Sequence, residues 1–378
     1  MIADIIFGFF LIPSVEGTRH PYYHHDLKPN QKMLAQWGAA KTWIYTNSLG
    51  FKDREIRDVP MTSGKYRVLL LGDSFTEGVG MVYEATFAGI FADAVEKKYH
   101  DVEVFNAGVM SYSPKLYYLK TKYLLEKIGF KFNEEILFID ISDIQDEIKY
   151  RSFVPADAVP FTKWLDTFMQ RHSYCYYEAR RSFLSWEIYY ALKNWWQKND
   201  TRQESQSGSG NAIEKSKDIH SSSNNNFDTV NMNDFYKHYY EERPKWTFDE
   251  AVYKKWGQLG LKLAEENMNK LVALCRKHNV KLTIAVYPWP DQVRHRNLNS
   301  RQATFWKAFA EKHNIGFINY FPDFINDVPA EKIIAERYIK GDDHWNKNGH
   351  KIIAEKLIRC FESSYKGKAP ETNTGELK

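Results

Sequence analysis

The run Tyr66-Arg67-Val68-Leu69-Leu70-Leu71, followed at once by Gly72-Asp73-Ser74-Phe75-Thr76-Glu77-Gly78, constrains this chain more than any other stretch. Its apolar part has no polar alternation, so it reads as a strand covered on both faces, as in a parallel sheet. The strand stops abruptly at a small, acidic, hydroxylated turn and passes into a segment that reads as a helix. Open α/β sheets bind their ligands at the carboxyl ends of such strands. A serine placed there can expose its hydroxyl, and the N–H groups that follow can face a developing negative charge.

The same rhythm continues downstream. Thr86–Tyr99 carries Phe87, Ile90, Phe91, Ala94 and Val95 at helical spacing, Val102–Phe105 is a second strand, and Pro114 opens a helix that runs to Ile128. Glu135–Ile141 is a third strand, Phe248–His278 a long helix, and Val280–Tyr287 a fourth strand stopped by Pro288-Trp289-Pro290. Ala303–His313, Gly316–Asn319 and Lys347–Phe361 supply a helix, a short strand and a last helix. Strands alternating with helices predict a three-layer α/β/α domain around about five parallel strands. Residues 151–247 interrupt the pattern as an insertion after the third strand. Phe161–Trp196 is helical in period and very aromatic, and reads as a core or docking face, or as a lid over the site. Asn199–Asn233 is Ser-, Asn- and Gln-rich and predicts disorder. The expected organisation is therefore a lead-in over 1–64, a first part of the domain over 65–150, the insertion, a second part over 248–364, and a tail over 365–378.

The chemistry-bearing residues follow from this layout. Ser74 needs a base within hydrogen-bond reach, and His344 is the best candidate, in a loop just ahead of the final helix. An acid should hold the other imidazole nitrogen. In an extended stretch, side chains two apart point the same way, which favours Asp342 over Asp343. Asp73 reads as a turn residue. The acidic set Asp140, Asp143, Asp146 and Glu147 reads as a solvated or arginine-paired loop, and serine chemistry calls for no metal or cofactor. Trp289 and Trp345 follow strand-end loops and are candidates for substrate binding by stacking on a sugar, or else for packing.

These blocks resemble the GDSL/SGNH hydrolases, in order and in position at strand ends. Gly72-Asp73-Ser74-Phe75 matches the block that carries the nucleophile, Asn106-Ala107-Gly108 the second block, and Asp342-x-His344 the last, covering roughly residues 65–145 and 280–360. The resemblance implies the flavodoxin-like SGNH fold and an oxyanion hole formed by the Ser74 and Gly108 amides. The family's acid often lies three residues before the histidine, where this chain has Gly341. Its third oxyanion donor is an asparagine after the third strand, where this chain has Ser142; Ser142, Asn106 or only two donors remain open. The Asp-x-His-Trp arrangement is also similar to the alginate-type acetyltransferase branch. The resemblance thus implies acyl transfer on an acylated carbohydrate or other small ester: a serine esterase removing O-acyl groups, with a polysaccharide O-acetyltransferase and a non-catalytic glycan-binding or assembly protein as alternatives.

Bulk properties set the other bounds. The chain has 378 residues, 43% of them hydrophobic, enough for one large domain with an insertion or for two domains. A net charge of +4 without a dense basic block gives no case for nucleic acid. Cys175, Cys275 and Cys360 lie far apart and predict neither a disulfide framework nor a zinc site. His20, His24 and His25 read as a surface or packing loop, since no further ligand follows at metal spacing. Ile5–Pro13 is apolar but shorter than the ~20 residues needed to span a bilayer. It reads as a docking helix or as the tail of an anchor beginning upstream, which leaves membrane association and the choice between envelope and cytoplasm open. The segment Asn47–Asp53 resembles one often found upstream of the first block in envelope-associated relatives, and reads as an extended lead-in packed against the sheet.

Overall fold

Covered parallel strands need apolar side chains on both faces, and five runs of this kind build the centre of one sheet. In the computed structural model, which describes residues 17–38, 40–156 and 230–365, these are β6 (Tyr66–Leu71), β7 (Val102–Asn106), β8 (Glu134–Ile139), β9 (Lys281–Val286) and β10 (Gly316–Asn319). The chain divides into two compact units, Met1–Val15 with Ala156–Asn226 and Glu16–Pro155 with Phe227–Lys378, and the elements described here belong to the second. The five strands are all parallel and lie in the order β10-β9-β8-β6-β7. In chain order this is 2-1-3-4-5, the doubly wound flavodoxin-like arrangement, with its switch point beside β6.

Helices cover both faces. On one side α2 (Phe87–Lys98) packs against α9 (Lys347–Ser364). On the other, α5 (Gln258–Lys277) packs against α3 (Pro114–Lys122) and α4 (Asp143–Tyr150). Thr86 caps α2 through its hydroxyl, and Pro114 occupies the first turn of α3, where a missing N–H costs nothing. The long expected helices are interrupted: α3 ends at Lys122 in a π turn over Tyr123–Lys127, and α5 is preceded by a π turn over Tyr253–Gly257.

The lead-in does more than pack against the sheet. After a small hairpin of β1 (Gly17–His20) and β2 (His24–Leu27), strands β3 (Lys32–Trp37), β4 (Ala40–Thr46) and β5 (Lys52–Asp53) extend the main sheet antiparallel to eight strands. The join is narrow: β5 meets β7 at Lys52 and Asn106. The β1–β2 hairpin is anchored by the fully buried Lys120 of α3, whose Nζ donates to Asp26 at 2.9 Å. The rings of His24 and His25 approach nitrogen to nitrogen at 2.8 Å, and His25 Nε2 bonds Met110 O. Burial lowers both imidazoles to about 4, so they are neutral packing groups.

Ile5–Pro13 and the aromatic run Phe161–Trp196 lie outside the described residues, as do most of Asn199–Asn233 and the tail beyond Tyr365. The end of the polar run is helical: Asn231 caps Met232–Lys237 through its side chain. Among the described residues no helix is long and apolar enough to cross a membrane.

Candidate active site

The end of β6 turns sharply into the one-turn helix α1 (Ser74–Glu77). Asp73 makes the turn, its Oδ1 accepting the Phe75 N–H at 3.0 Å as a helix cap. Gly78 closes the helix at φ +72°, a conformation that favours glycine. Ser74 thereby stands at the carboxyl end of β6, mostly buried, and its N–H meets no acceptor among the described residues.

His344 reaches it from the loop between α8 (Ala330–Arg337) and α9. Ser74 Oγ and His344 Nε2 are 2.8 Å apart, although 270 residues separate them in the chain. On the other side of the ring, Nδ1 lies 2.6 Å from Asp342 Oδ1, which also accepts the His344 backbone N–H at 2.9 Å. Asp342 thus faces the imidazole through an Asx-type turn, not through the extended pleat that sequence spacing implied. Burial pushes the Asp342 carboxyl up, but the His344 hydrogen bonds and that of Trp37 outweigh it and hold it at about 2. Asp342 is therefore ionised at any ordinary pH. Asp343 is separate from this chain of bonds, and burial followed by the charge of Asp291 raises it to about 6.

The loop is held in shape from within. Ile339 N–H bonds His344 O, Tyr338 and Trp345 form an antiparallel bridge, and Asn346 caps α9 through Asn348 and Gly349. Phe75 stacks on the His344 ring with centroids 4.5 Å apart. Trp37, from the tip of the β3–β4 hairpin, donates its indole N–H to Asp342 Oδ2 at 2.7 Å. Nothing in the sequence pointed to that contact: a tryptophan at the end of an alternating strand advertises burial and says nothing of where its N–H is aimed.

The second block sits against α1. Gly108 has room for no side chain, since a Cβ there would lie 2.6 Å from Glu77 N and 2.7 Å from Thr76 C. Its N–H donates to Asn106 Oδ1 at 3.1 Å, and Asn106 Nδ2 donates to Thr76 O at 2.8 Å. Asn106 is thus a strap between the two loops and is not presented as an oxyanion donor. Ser142 is engaged too: its hydroxyl and N–H both donate to Asp140 Oδ1, at 2.5 and 2.7 Å.

Both expected stacking tryptophans are corrected to packing residues. Trp345 is fully buried against Phe75, Tyr287 and Phe324, so no ring face is left for a sugar. Trp289 is also buried, and its indole N–H donates to Asp140 Oδ2 at 2.7 Å.

The acidic loop is likewise buried, not solvated. Asp140, Asp143, Asp146 and Glu147 are inaccessible, and of these Asp146 pairs with Arg243 at 2.8 Å. Carboxyl oxygens of Asp73, Asp140 and Asp143 lie within 4.8 Å of one another. Burial and then the neighbouring acids push Asp73 and Asp143 well above the usual carboxylate range. A cleft of about 660 Å3 lined by Lys65, Tyr66, Lys131, Lys281 and Tyr365 opens at the amino ends of the strands, across the sheet from Ser74.

No protein-family model and no curated protein matches the sequence. Among solved structures, the chain is similar to an esterase of a Pseudoalteromonas species, at 11% identity over 79% of this chain and 98% of that one, with a TM-score of 0.39. It is similar to an acetylxylan esterase of Geobacillus stearothermophilus, at 12% identity over 79% and 95% with a TM-score of 0.39. It is also similar to a putative lipolytic protein of the G-D-S-L family from Desulfitobacterium hafniense, at 13% over 78% and 99% with a TM-score of 0.37. Likeness of that size assigns no activity. The resemblance to the GDSL/SGNH hydrolases is carried instead by this chain's own strand order and by the Gly72-Asp73-Ser74, Asn106-Ala107-Gly108 and Asp342-x-His344 blocks on one rim of its sheet.

Proposed function

We propose that this protein is a serine esterase of the SGNH type that removes O-acyl, chiefly O-acetyl, groups from a carbohydrate. One observation carries the reading: an unbroken hydrogen-bond chain from Ser74 Oγ through His344 to Asp342, at 2.8 and 2.6 Å. In the proposed cycle the Ser74 hydroxyl proton passes to His344 Nε2 as Oγ attacks the ester carbonyl carbon. The charge formed on the carbonyl oxygen rests on the Ser74 and Gly108 N–H groups, Gly108 exchanging Asn106 Oδ1 for the stronger acceptor. Collapse breaks the bond to the alkoxy oxygen, which takes the proton from His344 and leaves as the sugar hydroxyl. Water, deprotonated by the same nitrogen, then attacks the acyl-serine and frees the acid and Ser74. Asp342 keeps the ring in the tautomer with Nδ1 protonated and balances the imidazolium. A sugar hydroxyl replacing water in the second half would give an O-acetyltransferase with the same residues.

The test is labelling by a fluorophosphonate, with acetate release from acetylated xylan or alginate. Labelling at Ser74, lost in Ser74→Ala with the fold intact, is expected. Wild-type turnover in Ser74→Ala would remove that serine from the mechanism, and an unlabelled wild-type protein would favour the non-catalytic alternative.

A further inference from the structure

The carboxylate of Asp342 has two oxygens, and both His344 donors converge on one of them. Oδ1 accepts the backbone N–H at 2.9 Å and lies 2.6 Å from the ring nitrogen. Oδ2 accepts the indole N–H of Trp37 at 2.7 Å. Rotation of the carboxylate about its Cβ–Cγ bond carries Oδ1 away from the imidazole, and within this set the Trp37 bond is the one that opposes it from the far side. The indole also meets the His344 ring edge-on, with centroids 4.8 Å apart, and so bounds its swing.

Trp37 arrives from outside the parallel sheet. It ends β3, the edge strand of the antiparallel extension, where Lys32, Leu34 and Gln36 are exposed on the alternate positions. Its ring lies over the Gly80 turn that follows α1, which adjoins Ile339 of the histidine loop. The same extension grips that turn from β5, where the buried Lys52 Nζ donates to Gly78 O at 2.9 Å and Met81 O at 2.8 Å. One antiparallel element therefore touches both the loop after the serine and the loop that holds the acid and base.

We propose that Trp37 is a positioning residue of the triad, acting through Asp342, and that the β3–β5 extension is part of the catalytic apparatus. This rests on the esterase reading above. A hydrogen bond to an ionised group in a partly buried site corresponds to a loss of roughly 10- to 100-fold on removal.

Two variants of the full chain test it: Trp37→Phe, and an isosteric replacement of the Trp37 indole by benzothiophene, which keeps the ring and deletes the N–H. Both are expected to lower kcat on p-nitrophenyl acetate about 10- to 100-fold with KM within about two-fold. The acid limb of the rate profile is expected to move to higher pH, because a carboxylate with one donor fewer binds the imidazolium more tightly. Glu77 from α1, His350 from α9, and Asp343 and Asp291 beside the acid remain in both proteins and are common to the comparison. The downfield proton resonance of the His344 Nδ1–H is expected to shift in the isostere. Wild-type kcat and an unmoved resonance in the isostere would overturn the proposal, as would a loss confined to Trp37→Phe, which would make the indole a packing group. The resonance needs no turnover. If the wild-type protein is inert, the esterase reading falls, and the resonance alone then decides for or against positioning by Trp37.

Discussion

Asp342→Asn replaces the acid by a group of the same shape and tests the hydrogen-bond chain where it is most strained for donors. Three N–H groups converge on the carboxylate: the His344 backbone and ring on Oδ1, and Trp37 on Oδ2. An amide offers one oxygen. With that oxygen toward His344, its NH2 points at the Trp37 N–H; flipped, its NH2 points at the His344 N–H and forces the ring to accept at Nδ1. The flipped form leaves Nε2 protonated and unable to take the Ser74 proton, and in either form the imidazolium loses its counter-charge. The equivalent change in a serine protease triad costs about 10⁴ in kcat. Here the expected loss is about 10³- to 10⁴-fold, or roughly 4–5.5 kcal/mol of barrier. KM should change little, since the pocket is not emptied. Asp343→Asn should cost less than about ten-fold, because Asp343 makes none of these bonds. The assay is steady-state hydrolysis of p-nitrophenyl acetate beside circular dichroism on both variants. Equal losses would mean that the two acids act jointly, and a larger loss at Asp343 would refute the assignment of Asp342.

Three further outcomes are expected. Gly108→Ala should lower both the melting temperature and the rate of fluorophosphonate labelling, the latter by about 10²-fold or more, because the added methyl meets backbone of α1 at 2.6 Å and displaces the proposed oxyanion donor. Ser142→Ala should keep kcat within about ten-fold, its hydroxyl being bonded to Asp140; a loss of about 10²–10³ would make it the third donor. Glu135 is buried in β8, and burial raises it from 4.5 to about 8, so its contribution is intact below pH 4.5 and is lost as the pH rises toward 8. Glu135→Gln removes that loss, and chemical denaturation should find the variant gaining about 2–3 kcal/mol on wild type between pH 5 and 7.

The parallel centre was legible because burial on both faces leaves a local mark. Val68–Leu71 and Leu282–Val286 are nearly continuous apolar runs, and each ends in residues that break a strand. Other features depend on partners that no local pattern names. Lys32–Trp37 and Ala40–Thr46 alternate as a half-exposed hairpin should, around a turn at Gly38, and Thr42-Trp43-Ile44-Tyr45 is a strand-forming run. Its place in the main sheet depends on the contact of Lys52 with Asn106. The acids after β8 pair with an arginine at Asp146, as one expectation had it, but they are buried and not solvated, for a related reason. Charge predicts exposure until tertiary structure supplies a donor to each carboxyl, as Trp289, Tyr117, Arg243 and Asn267 do for Asp140, Asp143, Asp146 and Glu147.

The tryptophan beside the histidine shows why sequence spacing brings residues together without giving each its role. Trp345 and His344 are neighbours whose side chains go opposite ways, one into the core against Tyr287 and Phe324, the other onto Ser74. A loop of small and polar residues such as Gly341-Asp342-Asp343 has no apolar surface to fix its height above the sheet. Trp345 supplies it: a fully buried indole, bridged through its backbone to Tyr338, pins the chain one residue after the base. The imidazole is then held on three sides, by the core anchor that follows it, by Phe75 stacked beneath it and by Asp342 ahead of it. In Asp342-x-His344-Trp345 the aromatic residue therefore holds the imidazole from below, and in the proposed esterase the acyl donor would meet only the groups that stay open around Ser74.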